Sequence, residues 1–258
     1  MMYIYCLPIT NSLWQDTETH LLPFVSPRRQ RKVLNYYHPI DQKLSLYSAL
    51  LTRMQLSILT GLPNNCLRFQ CNSYGKPLLL SNPQYHFNFS HTHNIILCGI
   101  SNVAPVGIDV ESISKDFSIH SIYEGLHPIE KQYINNFSLE SQYVRFYKIW
   151  TQKEAFVKFE GTGFSTESST INTLDPKLAY HLYTWQYTKY ICSAFLPKPD
   201  SQLYIRLIHE SEVQNYFFKK YRLIRRPHPR PTGRFRTGQT VRPVRLPAAA
   251  SGAGWIRT

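Results

Sequence analysis

Leu46, Leu50, Leu51, Met54 and Ile58 recur at the three- and four-residue spacing of one helical stripe, so the stretch running up to Gly61-Leu62-Pro63 is predicted to be a core-facing helix. A basic cluster, Arg28-Arg29-Gln30-Arg31-Lys32, opens the same region behind Ser26-Pro27. His86 to His91 alternates, with Phe87 and Phe89 on one side and His86, Asn88 and Ser90 on the other, the pattern of a half-buried strand. Ile95 to Ile100 and Val106 to Glu111 read as two further strands, joined across Asn102-Val103-Ala104-Pro105 and expected to be neighbours in one sheet. A second helix is predicted from Ser141 to Glu160, stopped by Gly161 and Gly163. Tyr180 to Tyr187, Tyr190 to Phe195 and Leu203 to Leu207 are short and rich in aromatic and branched residues, as strands are. Helix plus strands in each half, without regular alternation, gives an α+β class. No internal sequence repeat stands out.

Composition changes this picture at one place. With 258 residues, 43% hydrophobic and 14% aromatic, the chain suits a globular protein with one large or two small cores. No run approaches the roughly 18 apolar residues of a membrane span, and the start lacks the marks of a signal peptide, so a cytoplasmic protein without membrane attachment is expected. Five scattered cysteines without a CxxC pair read as reduced thiols. The net charge of +13 would suggest nucleic acid, yet residues 222–258 hold nine Arg and no Lys, Asp or Glu, and so carry most of it. That segment is rich in Pro and Gly and has no periodicity, so it reads as a disordered tail. A basic tail that binds RNA is the non-enzymatic alternative.

Some positions carry chemistry. The period of two along Val106 to Glu111 puts Asp109 and Glu111 on one face. Two like charges about 4 Å apart cost on the order of 4 kcal/mol near a protein surface, and a hard divalent ion relieves that cost. Glu154 and Lys158 stand at i and i+4 of the second helix, with Trp150 one turn earlier and Tyr147 beside it, a face suited to the rim of a cleft. Ser90 and His91 close a strand, and Tyr74-Gly75-Lys76-Pro77 forms a turn whose glycine admits a close ligand and whose lysine seeks phosphate. Cations at Arg28 to Lys32 oppose the helix dipole, which a bound anion would explain. Each pattern alone also fits an ordinary solvated face or turn, and a metal-dependent nuclease would use a similar set.

Taken together and in order, Tyr74 to Pro77 (YGKP), Phe87 to Thr92 (FNFSHT), Gly107 to Glu111 (GIDVE) and Trp150 to Phe164 (WTQKEAFVKFEGTGF) resemble the motifs of the surfactin-synthetase-activating type of phosphopantetheinyl transferase. The likeness runs from residue 20 to about 195. It implies a pseudo-twofold pair of similar α+β halves, residues 1–104 and 105–221, with coenzyme A between them and residues 222–258 as the tail. It implies Mg²⁺ on Asp109, Glu111 and Glu154, and catalysis by Glu154 and Lys158. Coenzyme A would meet Arg29, Lys32, Tyr74, Gly75, Lys76, Pro77, Ser90, His91 and Thr92. Lys43 would stand in for an arginine that usually follows the position of Asp41, and Glu130 matches a further acidic position. The implied reaction moves the phosphopantetheine arm of coenzyme A to a serine of an apo acyl or peptidyl carrier protein and releases 3′,5′-ADP. The enzyme is expected to work as a monomer, with no specific nucleic acid partner.

Overall fold

The computed structural model describes residues 1–116, 123–163, 168–196, 198, 202–224 and 256–257. Strand β1 (Met2–Pro8) begins it, followed by the short helices α1 (Asp16–Leu21) and α2 (Pro27–Leu34) and the long α3 (Pro39–Thr60). The hairpin β2 (Phe69–Cys71) and β3 (Pro77–Leu79) precedes β4 (His86–Thr92) and β5 (Ile95–Ser101). Next come β6 (Gly107–Ser112), α4 (Pro128–Asn135), α5 (Leu139–Glu160), α6 (Pro176–Ala179), β7 (Leu182–Tyr187) and β8 (Tyr190–Phe195). The described chain closes with β9 (Leu203–Leu207), α7 (Glu210–Ile224) and the two-residue β10 (Ile256–Arg257).

The architecture is α+β, and one topology is used twice. In the first half β1, β5 and β4 lie side by side, all antiparallel, with α3 between β1 and β4 in sequence. In the second half β6, β8 and β7 repeat that order and pairing, with α5 in the place of α3. Both long helices have 22 residues and end on a glycine in the left-handed region, Gly61 at φ 73° and Gly161 at φ 71°. The repeat is one of topology, which explains why the sequence does not betray it. The chain then returns to the first half: β9 pairs parallel with β1, and α7 brings Val213 and Phe217 into the core around α3. Helix α7 runs through Tyr221, past the start expected for the tail; residues 225–255 and 258 of that tail lie outside the described residues, and Ile256–Arg257 pair with β9.

Burial explains the strands. Every residue of β5 is buried, because Ile96, Cys98 and Ile100 face α3 while Ile95 and Leu97 face the other sheet. Covered on both faces, the strand reads as an unbroken apolar run. Val106, Ile108 and Val110 press against Ile95 and Leu97 across the gap between sheets, so β5 and β6 meet face to face. The expectation that they are neighbours in one sheet therefore fails: β6 ladders with β8, and the 102–105 connection carries the chain from one layer to the next. On the stripe of α3, Leu46, Leu50, Leu51 and Met54 are buried as expected, but Ile58 is 57% exposed, and the last turn packs on the core through Leu56 and Leu59 instead. Among the described residues no helix is long and apolar enough to cross a membrane.

Candidate active site

The site begins with a glycine. A Cβ at Gly107 would lie 1.8 Å from the Ala155 carbonyl oxygen and 2.5 Å from the Phe159 nitrogen. Only glycine lets α5 settle directly on β6, and that contact lays the last turns of α5 over the polar face of the strand. Asp109 and Glu111 rise from this face, and Glu154 and Lys158 descend from α5. Strand β4 of the first half supplies the third wall, since its polar side turns toward β6 and not toward water: Asn88 Oδ1 accepts from the Ile108 nitrogen at 3.4 Å.

Asp109 is the centre. It is 2% exposed, and its Oδ1 accepts from Ser90 Oγ at 2.7 Å and from Lys158 Nζ at 2.5 Å. Lys158 also donates to Ser90 Oγ at 3.1 Å and lies 4.0 Å from Glu154 Oε2. Asp109 Oδ2 is buried with no hydrogen-bond partner among the described residues. Burial pushes the Glu111 carboxyl up to about 7, helped by the charge of Asp109, while the Thr92 hydroxyl and Lys158 oppose the rise. Glu154 also rises to about 7, through burial first, with Lys158 lowering it and Asp109 raising it. Three carboxylates thus share too little positive charge.

That arrangement suits a hard divalent cation. The donors are carboxylate oxygens, one buried oxygen lacks a partner among the described residues, and two of the three acids are held back from ionising by burial first and by the charge of Asp109 after it. Among the described residues no three His, Cys, Asp or Glu side chains stand ready-grouped around one point, and Lys158 Nζ already occupies Asp109 Oδ1.

A cavity of about 830 Å³ opens in the first half, with Phe87 and Phe89 of β4 in its wall while Asn88 and Ser90 of the same strand face the cluster. Arg28, Arg29, Lys32, Arg53 and Arg68 line it with no acidic residue among the described lining, together with Phe69, Phe87 and Phe89 and the turn residues Gly75 and Pro77. The Arg29 guanidinium lies 5.7 Å from the Phe89 ring centre and donates to Ser45 Oγ at 3.5 Å. Burial, then neighbouring cations, pulls Lys32 below the ordinary lysine range. His91 joins the two regions. Burial holds its imidazole below the usual range, and the charges acting on it are Lys158 from the acidic cluster and Lys32 and Arg29 from the cavity, with Asp41 opposing. Arg53 and Arg68 escaped the reading from sequence. An arginine in the middle of an apolar helix, Arg53 in α3, was the available signal.

Several expected site residues are employed elsewhere. Lys43 is 1% exposed; its ammonium lies 3.4 Å from Glu18 and 3.3 Å from Glu210 and donates to the Asn11 carbonyl at 2.7 Å. A phosphate could reach it only by displacing two carboxylates, so the contacts of Lys43 are with the fold and not with the cavity to which the resemblance assigned it. Lys76 likewise turns from the cavity and donates to the carbonyls of Lys158, Phe159 and Val106 at 2.6, 2.9 and 3.3 Å. Tyr74, in the same turn, is exposed and absent from the cavity wall. Glu130, fully buried, pairs with Lys153 at 2.8 Å and accepts from the backbone of His127 and Thr173, which makes it a staple of the second half. Tyr147 and Trp150 face inward with Phe146, not onto a cleft. Phe164 lies outside the described residues.

The sequence model of the 4′-phosphopantetheinyl transferase superfamily matches residues 105–219, and that of the 4′-phosphopantetheinyl transferase N-terminal region matches residues 12–101. The chain is 31% identical over 171 residues to the 4′-phosphopantetheinyl transferase Sfp of Bacillus subtilis, covering 64% of this chain and 72% of that one. It is 32% identical over 163 residues to the 4′-phosphopantetheinyl transferase gsp of Aneurinibacillus migulanus, covering 63% and 67%. A rat L-aminoadipate-semialdehyde dehydrogenase-phosphopantetheinyl transferase is 28% identical over 156 residues, covering 55% and 50%. The two matched regions meet where the chain passes from one sheet to the other.

Proposed function

The chain belongs to the 4′-phosphopantetheinyl transferases, and from that premise we propose that it transfers the phosphopantetheine arm of coenzyme A to a serine hydroxyl of an apo carrier protein, releasing 3′,5′-ADP. The observation that carries this reading is His91, on which Lys158 of the Asp109, Glu111 and Glu154 cluster acts together with Lys32 and Arg29 of a cavity whose described lining holds five cations and no acid. A nucleotide carrying a 3′-phosphate and a pyrophosphate asks for such a pair of neighbouring sites. Arg29 and Lys32, with Arg28, Arg53 and Arg68, receive the 3′-phosphate end; Gly75 and Pro77 offer a flat wall to the base.

Asp109, Glu111 and Glu154 would hold Mg²⁺, whose chemistry there is to neutralise the pyrophosphate oxygens. The reacting serine belongs to the partner protein, so this chain needs no nucleophile of its own. Its Oγ forms a bond to the β-phosphorus as the bond from that phosphorus to the ADP oxygen breaks. Glu154 takes the serine proton directly or through water, a contribution typically worth about 10² to 10⁴ in rate. Lys158 leaves Asp109 to meet the charge that collects on the departing phosphate. Ser90 and Thr92 orient Asp109 and Glu111 by hydrogen bonds.

Incubation with coenzyme A, Mg²⁺ and an apo carrier protein tests the proposal directly. The intact carrier mass is expected to rise by one phosphopantetheine group, and only on the carrier serine. A carrier that stays unmodified under all metal and coenzyme conditions, with the protein folded, would reject the function.

A further inference from the structure

Lys76 departs furthest from what its sequence context implies, and its surroundings suggest another task. The last turn of an α-helix leaves carbonyls without intrahelical partners, and those groups carry the negative end of the helix dipole. At the end of α5 the carbonyls of Lys158 and Phe159 meet the Lys76 ammonium, which also reaches the Val106 carbonyl at the mouth of β6. Asn72 adds a second bond, its Nδ2 donating to the Gly161 carbonyl at 2.9 Å. Asn72 Oδ1 in turn accepts from the backbone nitrogens of Tyr74 and Lys76, so the 72–77 turn is held in shape by the residue that ties it to the helix. The fit is close: a Cβ at Gly161 would come within 2.8 Å of Lys76 Cδ. Thus one ammonium gathers three segments: the turn that gives Gly75 and Pro77 to the cavity, the start of the strand that carries Asp109, and the main chain of Lys158 itself.

We propose that Lys76 is a positioning residue, which holds the reacting end of α5 in register with the coenzyme cavity and does not bind the coenzyme through its ammonium. The inference rests on the transfer reaction proposed above. Its chemical logic is that Lys158 must move from Asp109 to a phosphate without its backbone moving, and a displacement of about 1 Å at a reacting group can cost on the order of a hundredfold in rate. The clip fixes the backbone and leaves the side chain free.

The test compares the wild type with Lys76→Met, which keeps the stem and loses the charge, and with Lys76→Gln, which keeps one donor. Hydrogen exchange of the α5 amides at residues 158–161 is expected to quicken roughly tenfold in Lys76→Met and less in Lys76→Gln. Turnover at saturating coenzyme A is expected to fall about 10- to 100-fold in Lys76→Met and to recover partly in Lys76→Gln, while the Kd for 3′,5′-ADP, which fills the cavity alone, stays within about twofold. In a Lys158→Ala background Lys76→Met should cost little further, since both changes act through one group. Unchanged exchange would overturn the clip. A tenfold weaker 3′,5′-ADP with turnover retained would make Lys76 a coenzyme ligand, and a full multiplicative loss beside Lys158→Ala would make its role merely structural; either overturns the proposal. Wild-type protein that shows the exchange difference but transfers nothing would instead sink the reaction assigned above and leave the clip standing.

Discussion

Strands β1 and β6 hold the same place in the two halves, yet Met2–Pro8 contains no charged residue and Gly107–Ser112 contains two acids. The helices above them differ in the same sense. On α3 the buried charge and hydroxyls are spent within the helix or on the fold: Ser48 donates to the Leu44 carbonyl, Thr52 to that of Ser48, and Lys43 to Asn11 beside two acids, so that the atom left unbonded among the described residues is the neutral Gln55 Nε2. Between β6 and α5 the acids are left short of partners, with Asp109 Oδ2 unbonded among the described residues and Glu111 of β6 and Glu154 of α5 drawn up toward neutrality. One scaffold used twice can thus let one copy settle its electrostatics and keep the other unsettled. The unsettled copy is where a cation and a phosphate have work to do.

The strongest way to break this contrast is to make β6 resemble β1. Asp109→Ala removes the central carboxylate and is expected to lower transfer by at least about a hundredfold to a thousandfold, because the cation and Lys158 both lose their anchor. Folding should survive. The lost ion pair has a partner, Lys158, whose side chain is 28% exposed and can return to water, and a like charge beside Glu111 and Glu154 disappears with the aspartate. Steady-state transfer measured together with thermal unfolding decides the matter; near-normal turnover at millimolar Mg²⁺ would reject the metal role of Asp109.

The contrast sharpens from the other side at Lys43. If the first half spends its charges on stability, Lys43→Met should leave Glu18 and Glu210 without their counter-ion and cost about 3 to 5 kcal/mol, with coenzyme affinity unchanged in whatever fraction is folded. Denaturant unfolding and coenzyme binding separate the outcomes. A tenfold loss of affinity with stability intact would restore the ligand role that the resemblance implied.

Sequence alone reached the elements and much of the site, and its failures have a common cause. Periodicity located α5, β4 and β6 within a few residues because each has a covered face and a strong local pattern. The Asp109 and Glu111 pair followed from the strand period, and Glu154 and Lys158 from the helical one. What local pattern cannot say is what lies opposite. Lys43 and Lys76 have the composition of phosphate ligands, but distant residues claim them: Glu210 for the first, the end of α5 for the second. Arg53 and Arg68 show the converse, since they are distant from Gly75 and Pro77 in local pattern yet line one cavity with them. Gly107 looks like an ordinary strand residue until α5 is laid across it. The return of β9 and α7 to the first half is likewise a matter of long-range pairing, which no periodicity reports.

The smallest expected effect is the most direct reading of the unsettled copy. Glu111 titrates near 7 in the folded protein, against the ordinary carboxylate value of about 4.5. Between those two values the folded state binds more protons than the unfolded one, so stability declines as pH rises from about 4.5 to 7. His91 works in the opposite direction, because its folded imidazole is held below the usual range and stability therefore grows as it loses its proton. Comparing wild type with Glu111→Gln cancels that shared term. In the presence of a chelator, the wild type should lose a few degrees of Tm relative to the variant between pH 5 and pH 7.5, a difference on the order of 1 kcal/mol once partial solvent screening of the cluster is allowed for. Millimolar Mg²⁺ at pH 7.5 should return the loss to the wild type and do less for the variant, since a cation stabilises the folded state in proportion to its preference for it. Equal slopes in chelator would mean that Lys158 alone already balances the three acids. In that case the second half would be as settled as the first, and the contrast between them would have to rest on geometry alone.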